Sequence, residues 1–246
     1  MDKLKTILEK FQPISLQEMD NVKLLNRTDT KFVFNHKNLE EFLSSCSKDY
    51  AILTIENKNI AHYKTLYFDT SDFDFYHHHH NKKGNRYKVR IRKYVDSNLC
   101  FLEIKNKFKG RTIKSRIPID DFEEILSNES IDFIKNITPF ESLNSTLWNS
   151  FDRITLTNNE RKERLTIDLN LSFELKDQKN SLKNVVICEL KQEKVNRSSP
   201  AFIELKKMQI RPSRISKYCI GASSLYQKIK SNRFKEKHIQ LAKLTA

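Results

Sequence analysis

Lysine and arginine alternate with apolar residues in several short segments of this chain, and this alternation restricts the fold more than any other feature. In the segment RYKVRIRKY (86–94), basic residues hold alternate positions and apolar residues lie between several of them. Side chains of a β-strand point to opposite faces in turn, so this segment predicts a strand with one basic and one apolar face. The segment FLEIKNK (101–107) repeats the pattern.

The recurrence of this pattern indicates a common purpose for the basic faces. Helices are available to cover the apolar faces, so the basic faces form either an open surface or the lining of a closed barrel. A lumen lined in this way needs a polyanion, because close like charges repel. Phosphates complement rows of lysine and arginine. The basic residues that share these faces are Arg27, Lys31, Lys88, Arg90, Arg92, Lys105, Arg153, Arg164 and Lys191.

The charge balance agrees with an acidic partner. The 246 residues include 45 Lys plus Arg and 31 Asp plus Glu, a formal net charge of +14. A chain of this length is expected to form one domain.

No P-loop or dinucleotide-binding glycine motif is present. The sequence has no apolar run of membrane-spanning length and no signal-peptide pattern, so we expect a cytoplasmic protein. The four cysteines form no CxxC pair and are expected to be reduced.

Apolar residues at helical spacing predict several helices outside the strands. Ser15 and Glu18 form a capping-box pattern within the first helical region. The run His77–His80 is interpreted as a solvent-facing helix or loop, with a metal site as the alternative. Lys217 is expected in a loop or short strand that leads into a helix. The predicted helical segments are 1–24, 38–45, 120–128, 130–150, 202–210 and 235–244.

A set of motifs in register resembles the vacuolar transporter chaperone (VTC) domain. This domain is the polyphosphate polymerase branch of the triphosphate tunnel metalloenzymes, which are related to CYTH proteins. The resemblance covers about residues 22 to 228, preceded by N-terminal helices (1–21) and followed by a basic C-terminal helix (229–246), in one domain. The motifs are RTDTKFVF (27–34), YKTLYFDT (63–70), KVRIRKY (88–94), FLEIKNK (101–107) with KSR (114–116), FDR (151–153) with RLTIDLN (164–170), VVICELK (185–191) and SKYCIG (216–221).

The resemblance implies an α+β fold in which an eight-stranded antiparallel β-barrel forms a tunnel with a basic lumen, covered by amphipathic helices. It implies catalytic roles for Arg90, Arg92, Arg153, Arg164 and Lys217. With the strand pattern, it predicts phosphate binding by Arg27, Lys31, Lys88, Lys105 and Lys191.

The resemblance also implies a divalent ion, Mn²⁺ or Mg²⁺, at Glu189, with Glu103 and Asp29 as further candidate ligands. Wider tunnel enzymes carry ExExK on the first strand, whereas this chain reads RTDTK there. The carboxylate pair of that motif is therefore missing, as in the VTC branch.

The leading hypothesis is transfer of the γ-phosphoryl group of a nucleoside triphosphate to a polyphosphate chain. Two alternatives stay open: a metal-dependent triphosphatase or polyphosphate hydrolase in the same tunnel, and a non-catalytic module that binds a polyanion. A tunnel should exclude nucleic-acid duplexes, so the expected partners are a nucleoside triphosphate and inorganic polyphosphate or triphosphate.

Overall fold

The computed structural model describes residues 2–20, 27–109 and 111–245. Its centre is one 11-stranded sheet. The strands are β1 (Gln12–Ile14), β2 (Thr28–Asn35), β3 (Ala51–Leu53), β4 (Ala61–Asp69), β5 (Arg86–Tyr94), β6 (Leu99–Phe108), β7 (Arg111–Ile119), β8 (Asn144–Asn158), β9 (Glu163–Leu175), β10 (Gln178–Leu182) and β11 (Val185–Gln192). The α-helices are α1 (Asp2–Leu8), α2 (Leu16–Asp20), α3 (Leu39–Cys46), α4 (Asp74–His80), α5 (Asn128–Lys135), α6 (Pro200–Lys207), α7 (Lys217–Leu225) and α8 (Lys235–Thr245).

Eight strands follow one another in the order β2-β11-β9-β8-β4-β5-β6-β7, and all their pairings are antiparallel. This confirms the predicted α+β class and the antiparallel sheet covered by helices. Of the remaining strands, β3 pairs with β8, β1 joins β3 in parallel, and β10 extends β9.

Within the described ranges no ladder joins the two ends of this path, β2 and β7. Instead, a segment that we call the strap (211–216) runs along the free edge of β2. The Ser213 amide donates to the Lys31 carbonyl oxygen at 2.7 Å, and Pro212 forms an antiparallel bridge with Phe32. The strap therefore satisfies backbone groups that an uncovered edge strand would leave exposed.

The outward faces of the strands are apolar, as the alternation predicts, and they form two cores. One joins β2, β9 and β11 to α1, α3 and α6, with Phe32, Ile167 and Leu190 at its centre. The other joins β4, β5 and β6 to α5 and the chain around it, with Leu102 and Ile134 inside. Burying one such side chain contributes about 2 kcal/mol, so these cores hold the polar inward faces in place.

A bulge in β9 changes what its inward face presents. Asn170 has a left-handed backbone (φ 52°), and the pairing shifts from Asp152↔Leu169 to Ser150↔Ser172, so β9 carries one extra residue. Before the bulge the inward residues of β9 are polar or charged. After it, Phe173 faces inward and packs with apolar residues of α7.

Helix α7 therefore packs inside the curved sheet at one end, whereas the sequence predicted that the helices lie outside it. A Cβ added at Gly221 would lie 2.5 Å from Phe173 Cδ1 and 2.9 Å from Leu147 Cδ1, so only glycine allows this close approach. We call this region the apolar plug. It consists of Val33, Tyr67, Leu147, Leu171, Phe173, Ile187, Tyr218, Cys219, Ile220, Gly221, Ala222 and Leu225.

Two predicted helices near the middle of the chain are wrong in part. Residues 120–127 form no α-helix, and α5 begins after Ser127, whose hydroxyl accepts from the Ser130 amide. In 120–127 the Asp121 and Glu123 carboxylates accept from the amides of Phe122 and Ser127, and such local bonds compete with helix formation. Residues 144–150 belong to β8, because pairing with β4 outweighs their helical spacing.

The N-terminal region is also less helical than predicted. Its capping box is confirmed, since the Ser15 amide donates to Glu18 at 2.7 Å and the Glu18 amide to Ser15 Oγ at 3.2 Å. However, Pro13 lies in β1, paired with β3, and residues 21–24 of the predicted segment lie outside the described residues. Throughout the described chain, each helix is too short or too polar to span a bilayer.

Candidate active site

The inward faces of the strands bring together the basic residues that the sequence singled out. Residues directly opposite each other in a ladder share a face, and the registers link the inward positions strand by strand from β2 to β7. We call the charged part of this lining the basic chamber. Its cations are Arg27, Lys31, Arg86, Lys88, Arg90, Arg92, Lys105, Lys107, Lys114, Arg116, Arg153, Arg164, Lys191 and Lys217, and its carboxylates are Asp29, Glu103, Asp168 and Glu189.

Three lysines stand in one row across adjacent strands. Lys88 on β5 is opposite Lys105 on β6, which is opposite Lys114 on β7. Like charges directly opposite each other destabilise a sheet. Lys114 contacts Glu103, but Lys88 and Lys105 form no ion pair with any described residue. The row therefore carries uncompensated positive charge.

Burial and neighbouring positive charges lower the pKa values of two of these lysines and of the nearby Arg92. Burial lowers the pKa of Lys88 to about 8, and its ammonium donates to the neutral Ser216 Oγ at 3.3 Å. The Arg90 charge, together with burial, holds the pKa of Lys105 well below its usual range. Burial and the Arg90 charge also lower the pKa of Arg92, whose Nε donates to Thr65 Oγ1 at 3.4 Å. An anion placed here would relieve all three groups.

Glu103 fixes the neighbouring arginine. Arg90 donates to Glu103 Oε2 from Nε at 2.9 Å and from Nη2 at 2.7 Å, and Lys114 contacts the other carboxylate oxygen. Although burial raises the pKa of Glu103, the charges of Arg90, Arg92 and Lys114 outweigh it and hold the pKa below its usual range. Glu103 is thus a buried anion engaged by cations, and its role as a metal ligand stays a prediction.

A second carboxylate orients the cations on the opposite wall. Asp168 accepts from Arg153 Nε at 2.6 Å and from Nη2 at 2.9 Å, and it also contacts Lys217 at the start of α7. The Arg153 guanidinium lies 4.9 Å from the ring centroid of Tyr63 and 5.1 Å from that of Phe151. Burial, partly offset by Asp168, lowers the pKa of Lys217 to about 8.

Glu189 lies between the two lysines of its own wall. Lys191 Nζ is 3.0 Å and Lys31 Nζ 3.7 Å from its carboxylate. Burial raises the pKa of Glu189, but the charges of Lys191, Lys31 and Lys105 lower it well below its usual range. Burial and the Glu189 charge raise the pKa of Asp29.

These two carboxylates fit a divalent cation in part. A cation would relieve the repulsion between Asp29 and Glu189, and Mg²⁺ is commonly held by one or two carboxylates with substrate phosphates. In the described ranges no three His, Cys, Asp or Glu side chains are grouped closely enough to hold a metal without such help.

The remaining predicted residues lie towards the end of the chamber away from the apolar plug. Arg27 Nε donates to Asp29 at 3.1 Å and its side chain is 37% exposed. Arg164 Nη2 donates to the Met19 carbonyl oxygen at 3.2 Å, so α2 positions it.

Several chamber residues were missed by sequence reasoning. Asp168 lies in the RLTIDLN motif but was given no role, although an acidic residue that shares a strand face with Arg164 is a signal for an internal ion pair. Lys114 and Arg116 lie in the KSR motif, but β7 was not read as a strand. Arg116 packs 4.5 Å from the Phe101 ring centroid. Lys107 lies opposite Arg86 on β5.

The histidine run lies in α4, beside the apolar plug. His80 is buried, and its Nε2 lies 2.8 Å from Asn232 Oδ1. His79 is partly buried, and burial with the Lys88 and Arg86 charges lowers its pKa to about 3. The run therefore packs against neighbouring chain more than the predicted solvent-facing position allows.

Comparison with known proteins agrees with this architecture. The profile of the VTC domain matches residues 26–226. A proposed adenylate cyclase from Bacillus halodurans aligns over 82% of this chain and 98% of its own, with 14% identity and a TM-score of 0.53. A proposed adenylyl cyclase from Hippeastrum, described as having a dominant triphosphatase activity, aligns over 80% and 96%, with 15% identity and a TM-score of 0.46.

An RNA triphosphatase of S. pombe aligns over 78% of this chain and 79% of its own, with 10% identity and a TM-score of 0.33. Of the three structures, the Bacillus halodurans protein exceeds a TM-score of 0.5 and shares the fold. A search of curated protein sequences found no significant match. Since the VTC domain profile matches most of the length of this chain, the chain belongs to the VTC domain family.

Proposed function

We propose that this chain is a polyphosphate polymerase-like phosphotransferase that moves the γ-phosphoryl group of a nucleoside triphosphate onto a polyphosphate chain inside the basic chamber. The row formed by Lys88, Lys105 and Lys114 carries this proposal most directly. Its charge is costly without an anion, and a chain of phosphates supplies one negative group after another. Membership of the VTC domain family supports the same substrate class.

The arginines would bind and orient the phosphates. Arg90 and Arg153 are each held by a buried carboxylate, so their guanidinium groups are fixed before substrate arrives. Such preorganised donors stabilise developing charge without reorganisation. Arg92 and Arg164 extend the same lining, and Lys217 adds a cation from the start of α7.

The transferred group passes between phosphate oxygens, so the protein mainly positions and neutralises charge. A terminal phosphate oxygen of the acceptor is already anionic and needs no protein base. Glu189, with Asp29, would hold a divalent cation, Mn²⁺ or Mg²⁺, which supplies charge neutralisation when bound. Lys31 and Lys191 lie on either side of Glu189 and would meet the phosphates that share the cation.

Hydrolysis in the same chamber is the second candidate, because water can replace the acceptor phosphate. The side chains of Arg27 and Asp29 are each 37% exposed, which favours access of water to this part of the chamber. A module that only binds a polyanion uses the same cations with no transfer.

The test is incubation of purified protein with ATP and manganese, followed by gel staining for polyphosphate and assay of free phosphate. We expect a polymer ladder that disappears in Glu189→Ala and weakens strongly in Lys105→Gln. Lys93→Gln is the matched control, because Lys93 lies on the outward face of β5 and pairs with Asp121 at 3.0 Å. Free phosphate without polymer would favour hydrolysis. The absence of both polymer and free phosphate would favour a module that only binds a polyanion.

A further inference from the structure

A basic groove lies on the outer side of the strap, away from the basic chamber. Its volume is 430 Å³, and its walls come from the end of β2, the residues around 209–213 and α8. Lys37, Arg211, Lys237 and Lys243 line it, and none of its lining residues is acidic. The groove is therefore a concave surface of one charge sign.

Among the described residues, the cations of the groove have no acidic partner. Lys37, Arg211 and Lys243 form no ion pair with any residue in the described ranges. Lys237 Nζ donates to neutral oxygens, at 2.8 Å to Ser213 Oγ and at 3.0 Å to Gln240 Oε1. Four cations around one depression repel one another, so an anion between them would be bound favourably.

The groove has fixed walls. Asn35 Nδ2 donates to the Leu244 carbonyl oxygen at 2.6 Å, which ties the end of α8 to β2. The bond from Lys237 to Ser213 ties the start of α8 to the strap. Because these contacts join all three walls, a ligand meets cations already held near one another, and less ordering opposes its binding.

The strap alone separates the groove from the basic chamber. On the outer side of the strap, Ser213 accepts from Lys237. On its inner side, Lys31 Nζ donates to the Ile215 carbonyl oxygen at 3.2 Å and Lys88 Nζ to Ser216 Oγ at 3.3 Å. Two lysines that face phosphate in the proposed reaction, Lys31 and Lys88, and one lysine of the groove, Lys237, therefore contact the same six-residue strap.

We propose that the groove is a second anion site, which binds a stretch of condensed phosphate outside the chamber. The ligand class rests on the proposed function, whereas the anion site itself rests on the groove. Lys and Arg donors are suited to successive phosphate groups. A polymer held here would stay attached to the protein between transfers. A free short phosphate such as tripolyphosphate has the same chemistry, so the test includes both.

The experiment measures binding of long-chain polyphosphate and of tripolyphosphate by calorimetry. The groove variant is Lys37→Gln, Arg211→Gln and Lys243→Gln together. Its control is Lys135→Gln, Lys194→Gln and Lys206→Gln, which removes equal charge from exposed positions outside the groove. Both sets are also made with Lys88→Gln and Lys105→Gln, which weaken binding in the chamber. Thermal melting checks that each variant is folded.

We expect long-chain affinity to fall about tenfold or more in the groove variant, because three charge contacts are lost, and to change little in the control. Loss of tripolyphosphate binding in the groove variant as well would support the same site with a short ligand. Equal losses in both variants, or no loss in either, would overturn the proposal. If the groove binds polyphosphate while the wild type neither polymerises nor hydrolyses ATP, the site stands and the proposed function fails.

Discussion

The basic chamber and the apolar plug are built on the inward faces of the same strands, yet their interiors are filled in opposite ways. In the plug, Phe173 and Leu147 meet α7 so closely that only Gly221 fits between them. In the chamber, Lys88 and Lys105 are directly opposite each other, and neither forms an ion pair with a carboxylate of the described residues. The fold fills the plug with its own apolar side chains, whereas the chamber keeps a charged lining to which we assign the proposed phosphate binding.

Among the substitutions that distinguish the chamber from the plug, Arg90→Gln is expected to have the largest effect on activity and stability. The substitution removes a positioned guanidinium that is proposed to bind phosphate, so activity should fall at least about a hundredfold. It also removes both hydrogen bonds that Arg90 donates to Oε2 of the buried Glu103, which should lower the free energy of unfolding by about 3 kcal/mol. Steady-state assays and urea denaturation measure the two losses separately.

The double variant Arg90→Gln with Glu103→Gln provides the control. Without the unpaired carboxylate, most of the stability should return, whereas the activity should not. If the double variant regained activity, Arg90 would be a structural residue and its proposed phosphate contact would be wrong.

The second prediction is that substituting the partly buried Lys88 raises the stability of the protein, whereas substitutions of buried residues usually lower it. Lys88 has a pKa of about 8 in the folded chain and about 10.5 when unfolded. Lys88→Gln should therefore stabilise the protein at pH 7, by an amount of the order of 3 kcal/mol at most. The same variant should bind tripolyphosphate more weakly, because the row with Lys105 loses a cation. Urea denaturation and calorimetry measure both.

The pH dependence of that stabilisation has a definite sign. Below pH 8 both states carry the charged ammonium, and the folded wild type bears the cost of burying it. Between pH 8 and 10.5 the unfolded chain binds more protons, so wild-type stability rises relative to Lys88→Gln and the advantage of the variant disappears. Lys93→Gln, on the outward face, should show no such trend. If Lys88→Gln were less stable than the wild type at pH 7, burial of the charged Lys88 ammonium would not be costly to the folded protein.

The sequence predicted the chamber better than the plug, for physical reasons. Alternation in β2, β5, β6, β9 and β11 places residues on faces by a period of two, and this rule needs no tertiary information. It located Arg90, Arg153 and Glu189 on the inward face. The metal, phosphate and catalytic roles of these residues stay predictions.

The plug depends on features that a local pattern does not encode. The single residue Asn170 at a left-handed angle exchanges the faces of β9, and its effect appears only when the partner strand is known. Helix α7 carries few charges and no amphipathic stripe, so its burial on the inside could not be predicted from spacing. Segment 120–127 misled for the same reason: its apolar spacing fits a helix, but its carboxylates bind nearby amides instead.

The smallest expected effect is Gly221→Ala, which tests the plug alone. The added Cβ forces Phe173 and Leu147 to move, and such overpacking costs about 1–3 kcal/mol. Alanine gains about 1 kcal/mol in a helix interior, so the net loss of stability should be about 1 kcal/mol. Gly84→Ala is the control, because nothing lies within 4 Å of its added Cβ, and its stability should be unchanged or slightly higher.

Tripolyphosphate affinity decides whether the two regions are separate in function. Gly221→Ala should lower the unfolding free energy and leave this affinity unchanged, which is the reverse of Lys88→Gln. A large loss of affinity in Gly221→Ala would show that α7 transmits strain from the plug through Ser216 and Lys217 to the chamber, since these residues contact Lys88 and Asp168. In that case the plug would also set the position of the cations that are proposed to bind phosphate.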